Sequence, residues 1–195
     1  MSETSPPLVP GAQEHPALAL VNSADGLVSG KVHDELSTPE AATTWLLAHD
    51  LMAPEAGLQE HCQGRLVSLR QDLRDAFTAH VTGDVPTAAA IDALNRALTS
   101  APGTLLLRFD PATRFTRSAE HPMTQVVEHA MATIAEDAAT LLTGDDAPLL
   151  AACEAGSCQR FFLRTHARRQ WCSNRCGDRV RAARAYARKR ATKTP

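Results

Sequence analysis

Four cysteines close the chain in the order Cys153, Cys158, Cys172 and Cys176, a C-x4-C-x13-C-x3-C pattern inside CEAGSCQRFFLRTHARRQWCSNRCGDRVRAARAYARKR. Zinc takes soft or borderline ligands at the corners of a tetrahedron, and two close pairs on a connector supply them without straining the backbone. Two disulfides, or four unrelated buried thiols, would use the same residues. The spacing, the arginines around it and a reducing compartment favour the metal. Cysteine fills every corner, so the chemistry expected is structural: the ion folds the module and leaves no site open for substrate.

The second chemistry is positive charge. From Ala151 to the end there are twelve Lys and Arg against two Asp and Glu, a balance of +10 in a chain whose net charge is −2. The preceding 150 residues hold eight and twenty, a balance of −12. Ser173 to about Arg190 reads as a helix of roughly 27 Å. Arg181, Arg184 and Arg188 form one stripe on it, and Arg175, Arg179 and Arg190 the other flank, with Lys189 nearby. Arg168 and Arg169 add to the turn before it, where His166 reads as an exposed side chain that could also contact phosphate. Guanidinium suits bidentate phosphate or guanine contacts, so double-stranded DNA is the expected partner. The same charge could serve an acidic protein partner, a lipid headgroup or the chain's own acidic body.

These groups need a frame. Phe161-Phe162-Leu163 and Gln170-Trp171 read as two short strands around a polar turn. Cys176, Val180, Ala183 and Ala187 share the helix face that should pack on them. This gives a treble-clef-like four-cysteine finger over residues 147–195, in which helix-start N–H groups face thiolate. Residues 1–15, rich in Ser, Pro and Glu, read as a mobile tail. Residues 16–146 read as a mainly helical α+β domain. Leu18–Val28 is an apolar segment that ends in a turn, for which Asn22 and Asp25 are suited. Ser37-Thr38-Pro39-Glu40 opens a helix with a hydroxyl cap. Leu58–His80 repeats apolar residues every three or four positions, and Cys62 falls on that face as a buried thiol. Thr87–Leu98 places Ile91, Leu94 and Leu98 together. Thr104–Phe109 and Arg114–Arg117 flank Asp110–Thr113 as a β-hairpin, and Met123–Leu142 returns to helix. No apolar run reaches the length of a membrane span, and the first residues lack a secretory pattern, so a cytoplasmic protein is expected.

Cys153–Arg190 resembles the CGNR-type zinc finger, whose motif stands here as Cys176-Gly177-Asp178-Arg179 after Trp171-Cys172-Ser173. Val21-Asn22-Ser23, Leu36–Glu40 and Trp45-Leu46 resemble the ABATE domain that accompanies this finger in bacteria. The resemblance implies one structural Zn²⁺ and a stress-associated transcription regulator that binds DNA through its finger, with the N-terminal domain as sensor, dimerisation or partner-binding element. Asp178 stands where the motif has Asn, and the last cysteine pair is spaced x3 where the family leads one to expect x4. Two other functions use the same residues: a zinc-stabilised module that docks an acidic protein, and a redox sensor that ejects zinc on oxidation. No nucleophile–base pair or phosphate-binding glycine loop is present, so catalysis is not expected.

Overall fold

The computed structural model describes residues 8–25, 33–53, 57–101, 106–118 and 126–191. Among these residues, six α-helices, a short 3-10 turn at Ala147–Leu149 and three two-stranded antiparallel sheets occur, the helices and strands in the order α1 (Pro16–Val21), β1 (Ala24–Asp25), β2 (His33–Asp34), α2 (Pro39–Ala48), α3 (Glu60–Thr82), α4 (Ala88–Thr99), β3 (Leu106–Asp110), β4 (Arg114–Ser118), α5 (Val126–Thr143), β5 (Leu150–Ala152), β6 (Phe161–Leu163) and α6 (Asn174–Ala191). The fold is α+β and mainly helical. Among the described residues no helix is long and apolar enough to cross a membrane.

Local chemistry sets most helix ends. Thr38 and Thr87 each accept a hydrogen bond from the backbone N–H three residues on, capping α2 and α4, as hydroxyl residues at that position do. Gly83 ends α3 at φ 76°, in the left-handed region that glycine reaches without steric cost. The short α1 is capped from a distance instead. Asp137 on α5 accepts from the Ala17 N–H at 2.9 Å and from His15 Nδ1 at 2.8 Å. A six-residue helix has little stability of its own, and burial of Leu18, Leu20 and Val21 holds it in place.

Helix α3 is the axis. It packs against α1, α2, α4, α5 and β5, and its apolar repeat is buried at Leu66, Leu69, Leu73 and Phe77. Cys62 is half-buried at the edge of this face, its Sγ 3.2 Å from His61 Nε2. The α4 face that turns inward is Ala90, Leu94 and Ala97, whereas Ile91 is exposed. Small alanines let α4 lie close to α3, and that contact outweighs the larger side chain. The expected hairpin forms as β3–β4, with Phe109 opposite Phe115. Thr104, Leu105, Met123 and the Gly26–Val28 end of the first apolar segment lie outside the described residues.

Residues 8–15 differ from the expected tail. Val9 and Ala12 are buried, and Pro10 accepts a hydrogen bond from the Leu163 N–H at 2.9 Å. Gly11, at φ 90°, sits so close that an added Cβ would meet Leu163 Cγ at 2.7 Å. A chain that pairs with a strand this tightly loses the freedom its polar composition suggested.

A buried ion pair ties the β1–β2 corner to α3. Arg70 donates to both carboxylate oxygens of Asp34, at 2.6 and 2.8 Å, and to Ser23 Oγ at 3.0 Å. Burial pushes the Asp34 carboxyl up, but the Arg70 bonds and the Leu36 N–H outweigh this and hold it below the usual range. A lowered carboxylate stabilises the fold above its unfolded pKa, near 4, and that stabilisation is lost as pH falls through the folded value. Asp34→Asn should therefore cost about 3 kcal/mol at pH 7 by stranding the buried guanidinium. Denaturant melts between pH 2 and 7 should also show a shallower acid loss in the variant than in the wild type. Parallel acid limbs would mean that the pair does not carry the pH dependence.

Candidate metal centre and basic helix

The hairpin of the finger is not the one expected. β6 pairs with β5, Leu150–Ala152, which precedes the first cysteine, in the register Leu150↔Leu163 and Ala152↔Phe161. Gln170 meets the knuckle through its carbonyl, which accepts from the Glu154 N–H at 3.0 Å. Cys153 and Cys158 therefore sit in the knuckle between β5 and β6, closed by Cys153 N–H to Arg160 O and Cys158 N–H to Ala155 O. Cys172 lies just before α6 and Cys176 in its first turn. Ser173 caps this helix, its Oγ accepting from the Cys176 N–H at 3.3 Å. Knuckle plus helix start keeps the arrangement treble-clef-like, with the hairpin moved to the two strands that flank the knuckle.

All four Sγ atoms lie within 4.8 Å of one another. Cys172 Sγ is 3.7 Å from both Cys158 Sγ and Cys176 Sγ. Zinc–sulfur bonds of about 2.3 Å at tetrahedral angles put sulfurs about 3.8 Å apart, whereas a disulfide needs about 2 Å. The set fits one structural zinc ion, and the x3 spacing of the last pair closes it. Several donors support the thiolates: the Cys172 N–H at 3.4 Å from Cys153 Sγ, the Ala155 N–H also to Cys153, the Arg160 N–H to Cys158, and Arg179 Nη2 at 3.7 Å from Cys176 Sγ. Such partners orient ligands and offset the negative charge that four thiolates leave around a divalent ion. Among themselves the thiols share protons unequally. Bonds from Cys158 and Cys172 drive Cys153 far below its ordinary value, while the bond to Cys153 pushes Cys158 up to about 12 and raises Cys172 as well. A metal ion that claims all four must displace these protons.

The finger is not a separate bead. Asn22, at the end of α1, donates Nδ2 to Phe161 O at 2.9 Å and accepts from the Phe161 N–H at 3.0 Å, so one side chain satisfies both backbone groups of a β6 residue. Arg74 on α3 donates to Val21 O at 2.6 Å and to Gln159 O at 2.8 Å, with its guanidinium 5.4 Å from the Phe161 ring centroid. Phe161 and Phe162 are buried in the same core as α1 and α3. Sequence reasoning gave Asn22 a turn role and assigned Arg74 none. The Val21-Asn22-Ser23 stretch that carried the ABATE resemblance was the available signal.

The arginines divide into two groups. Arg169 is spent on the fold: it donates to the Trp171 and Cys172 carbonyls at 3.1 Å each, and its guanidinium lies 5.7 Å from the Phe162 ring centroid. Arg179 is half-buried against Cys176. Arg181 pairs with Asp178 at 2.7 Å and lies 5.5 Å from the Trp171 ring centroid. Gly177 makes room for that stack, since a Cβ there would meet Trp171 Cε3 at 2.9 Å. Arg168, Arg175, Arg184 and Arg188 are exposed. Ala183 and Ala187, expected to pack on the hairpin, are exposed too: from Arg181 to Ala191 only Ala185 is even partly covered. The core contacts of α6 end near Val180, because the hairpin it was to cover is already buried by α1, α3 and residues 9–12.

A four-cysteine treble-clef finger grown out of a helical α+β body defines a zinc-finger protein of two parts. The chain belongs to the ABATE family, whose model, described as "Putative stress-induced transcription regulator", matches residues 14–145, and a CGNR zinc finger model matches residues 150–189. A search of curated proteins returns no significant match.

Because β5–β6 belongs to both the metal site and the body's core, zinc removal should destabilise the whole chain. Chelation, or Cys172→Ser, should lower the single melting transition of the helical signal by more than about 10 °C, at roughly 2–4 °C per kcal/mol for this size. A body transition that stays in place while the finger melts separately would refute the coupling.

Proposed function

We propose that the protein is a DNA-binding transcription regulator whose finger engages duplex DNA through the exposed half of α6. The observation that carries this is the exposure of α6 beyond Val180, where a run of small alanines separates arginines that the fold does not bury. Eleven residues from Arg181 to Ala191 extend about 16 Å, and a helix of this girth fits the major groove. His166, Arg168 and Arg181 also line a cavity of about 200 Å³ beside the first turn of α6, where backbone N–H groups and the positive end of the helix favour a phosphate. Arg184, Arg188 and Arg175 are the first contacts, with Arg168 and Arg181 in support. Arg181 can leave Asp178, since an exposed pair of this kind holds weakly. Arg169 and Arg179 act indirectly, by holding the turn and the metal site.

The zinc ion has a folding role and no catalytic one, all four of its positions being filled by cysteine. The N-terminal helices form the regulatory half, and the Asn22 and Arg74 bonds are the route by which a signal received there reaches the finger.

Binding of zinc-loaded protein to random-sequence duplex across a salt series should give a log–log slope of about −4 to −6, or roughly five to seven phosphates. Arg184→Ala should reduce the slope by about one. No binding at low salt would end the DNA reading, and selective capture of an acidic protein would replace it.

A further inference from the structure

The finger holds one concentration of arginine, and the hairpin β3–β4 holds another. Eight Lys and Arg occur in the first 150 residues, and Arg108, Arg114 and Arg117 are three of them. Most of the rest are engaged by the body itself. Arg65 is bonded to Glu128, Arg70 to Asp34, and Arg74 to the Val21 and Gln159 carbonyls. Arg96 offsets the charge of Asp72. The hairpin is thus where a body of net charge −12 concentrates positive charge. Its one acid, Asp110, braces the turn, accepting from the Ala112 and Thr113 N–H groups at 2.8 and 2.9 Å.

The hairpin also displays apolar surface that no described element covers. Leu107, Phe109 and Phe115 are 70%, 54% and 65% exposed. The two phenylalanines face each other across the strands with ring centroids 5.0 Å apart, and the Arg114 guanidinium lies 5.3 Å from the Phe109 centroid. No other described element makes more than marginal contact with either strand. Exposed aromatics beside arginine suit a surface that meets phosphates with charge and sugars or bases with rings. A polyanion approaching an acidic body needs such a local positive point of contact.

We propose that the β3–β4 hairpin is a second DNA-contact element, a two-stranded ribbon that enters a groove of the duplex bound by the finger. A ribbon of this width fits the major groove. The inference rests on the reading of the protein as DNA-binding, and its test separates the two. Anisotropy titrations would use the zinc-loaded full-length chain and a random-sequence duplex. They would compare wild type, Arg114→Gln, the double variant Phe109→Ala/Phe115→Ala, and Arg184→Ala, each checked for native helical content by circular dichroism. Arg114→Gln should weaken binding and reduce the salt slope by about one. The phenylalanine double variant should weaken binding roughly fivefold to tenfold with the slope unchanged, because apolar contacts release no counterions. If both hairpin variants bind as wild type does while Arg184→Ala is impaired, the hairpin proposal falls and the finger reading stands. If wild type itself binds no duplex, both fall. If the hairpin variants keep full DNA affinity but lose self-association in sedimentation, the surface belongs to a second copy of the chain and the proposal is overturned.

Discussion

Phe161 is the residue on which the two halves of the molecule meet. Its N–H and carbonyl are both answered by the Asn22 side chain, its ring lies edge-on to Phe77, and Arg74 covers its outer face. Three residues earlier in the chain stands the zinc ligand Cys158. A backbone hydrogen bond left unmade in a buried strand costs about 1–3 kcal/mol, so a second strand or its equivalent must sit beside β6. The short α1 ends where it does in order to supply Asn22, and Asp137 reaches from α5 to hold the other end of that helix. Much of the body's layout can be understood as support for this one side chain.

The same junction explains why α6 projects from the body. A finger standing alone would have only its own helix to cover the apolar hairpin, and burying that surface is favourable. Here α1, α3 and residues 9–12 have taken that position, and the helix needs only Cys176 and Val180 to hold its base. Arg181 against Trp171, with room made by Gly177, forms a collar at the point of departure. Beyond the collar the helix has no core to cover, and its composition shifts to alanine and arginine, which favour helix without one.

What the chain reveals to a sequence reader follows the range of the forces involved. The hydroxyl cap at Thr38, the apolar repeat of α3 and the cysteine pairs act within a few residues, and each is legible. The metal ligands were fully readable, because zinc imposes spacing as well as residue type. The true partner of β6 was not. Leu150-Ala151-Ala152 has no strand signature and pairs because the knuckle folds it back. Asn22 reaches across 139 positions to Phe161, and a lone asparagine before Ser-Ala-Asp looks like a turn residue. Ala90 displaced Ile91 from the α4 interface for a reason visible only from α3. The separation of structural from exposed arginines was equally hidden, since Arg169 and Arg168 are neighbours in sequence and opposites in environment.

The sharing of β5–β6 also bears on how such a protein can be cut and engineered. Many zinc fingers act as interchangeable cassettes, cut at a linker and joined to new neighbours. This one has no such seam: cut between α5 and β5, the finger would expose Phe161 and Phe162, and the body would lose the cover over α1. The two halves therefore share one core, and a change at Asn22 or Arg74 removes bonds made to residues 159–161.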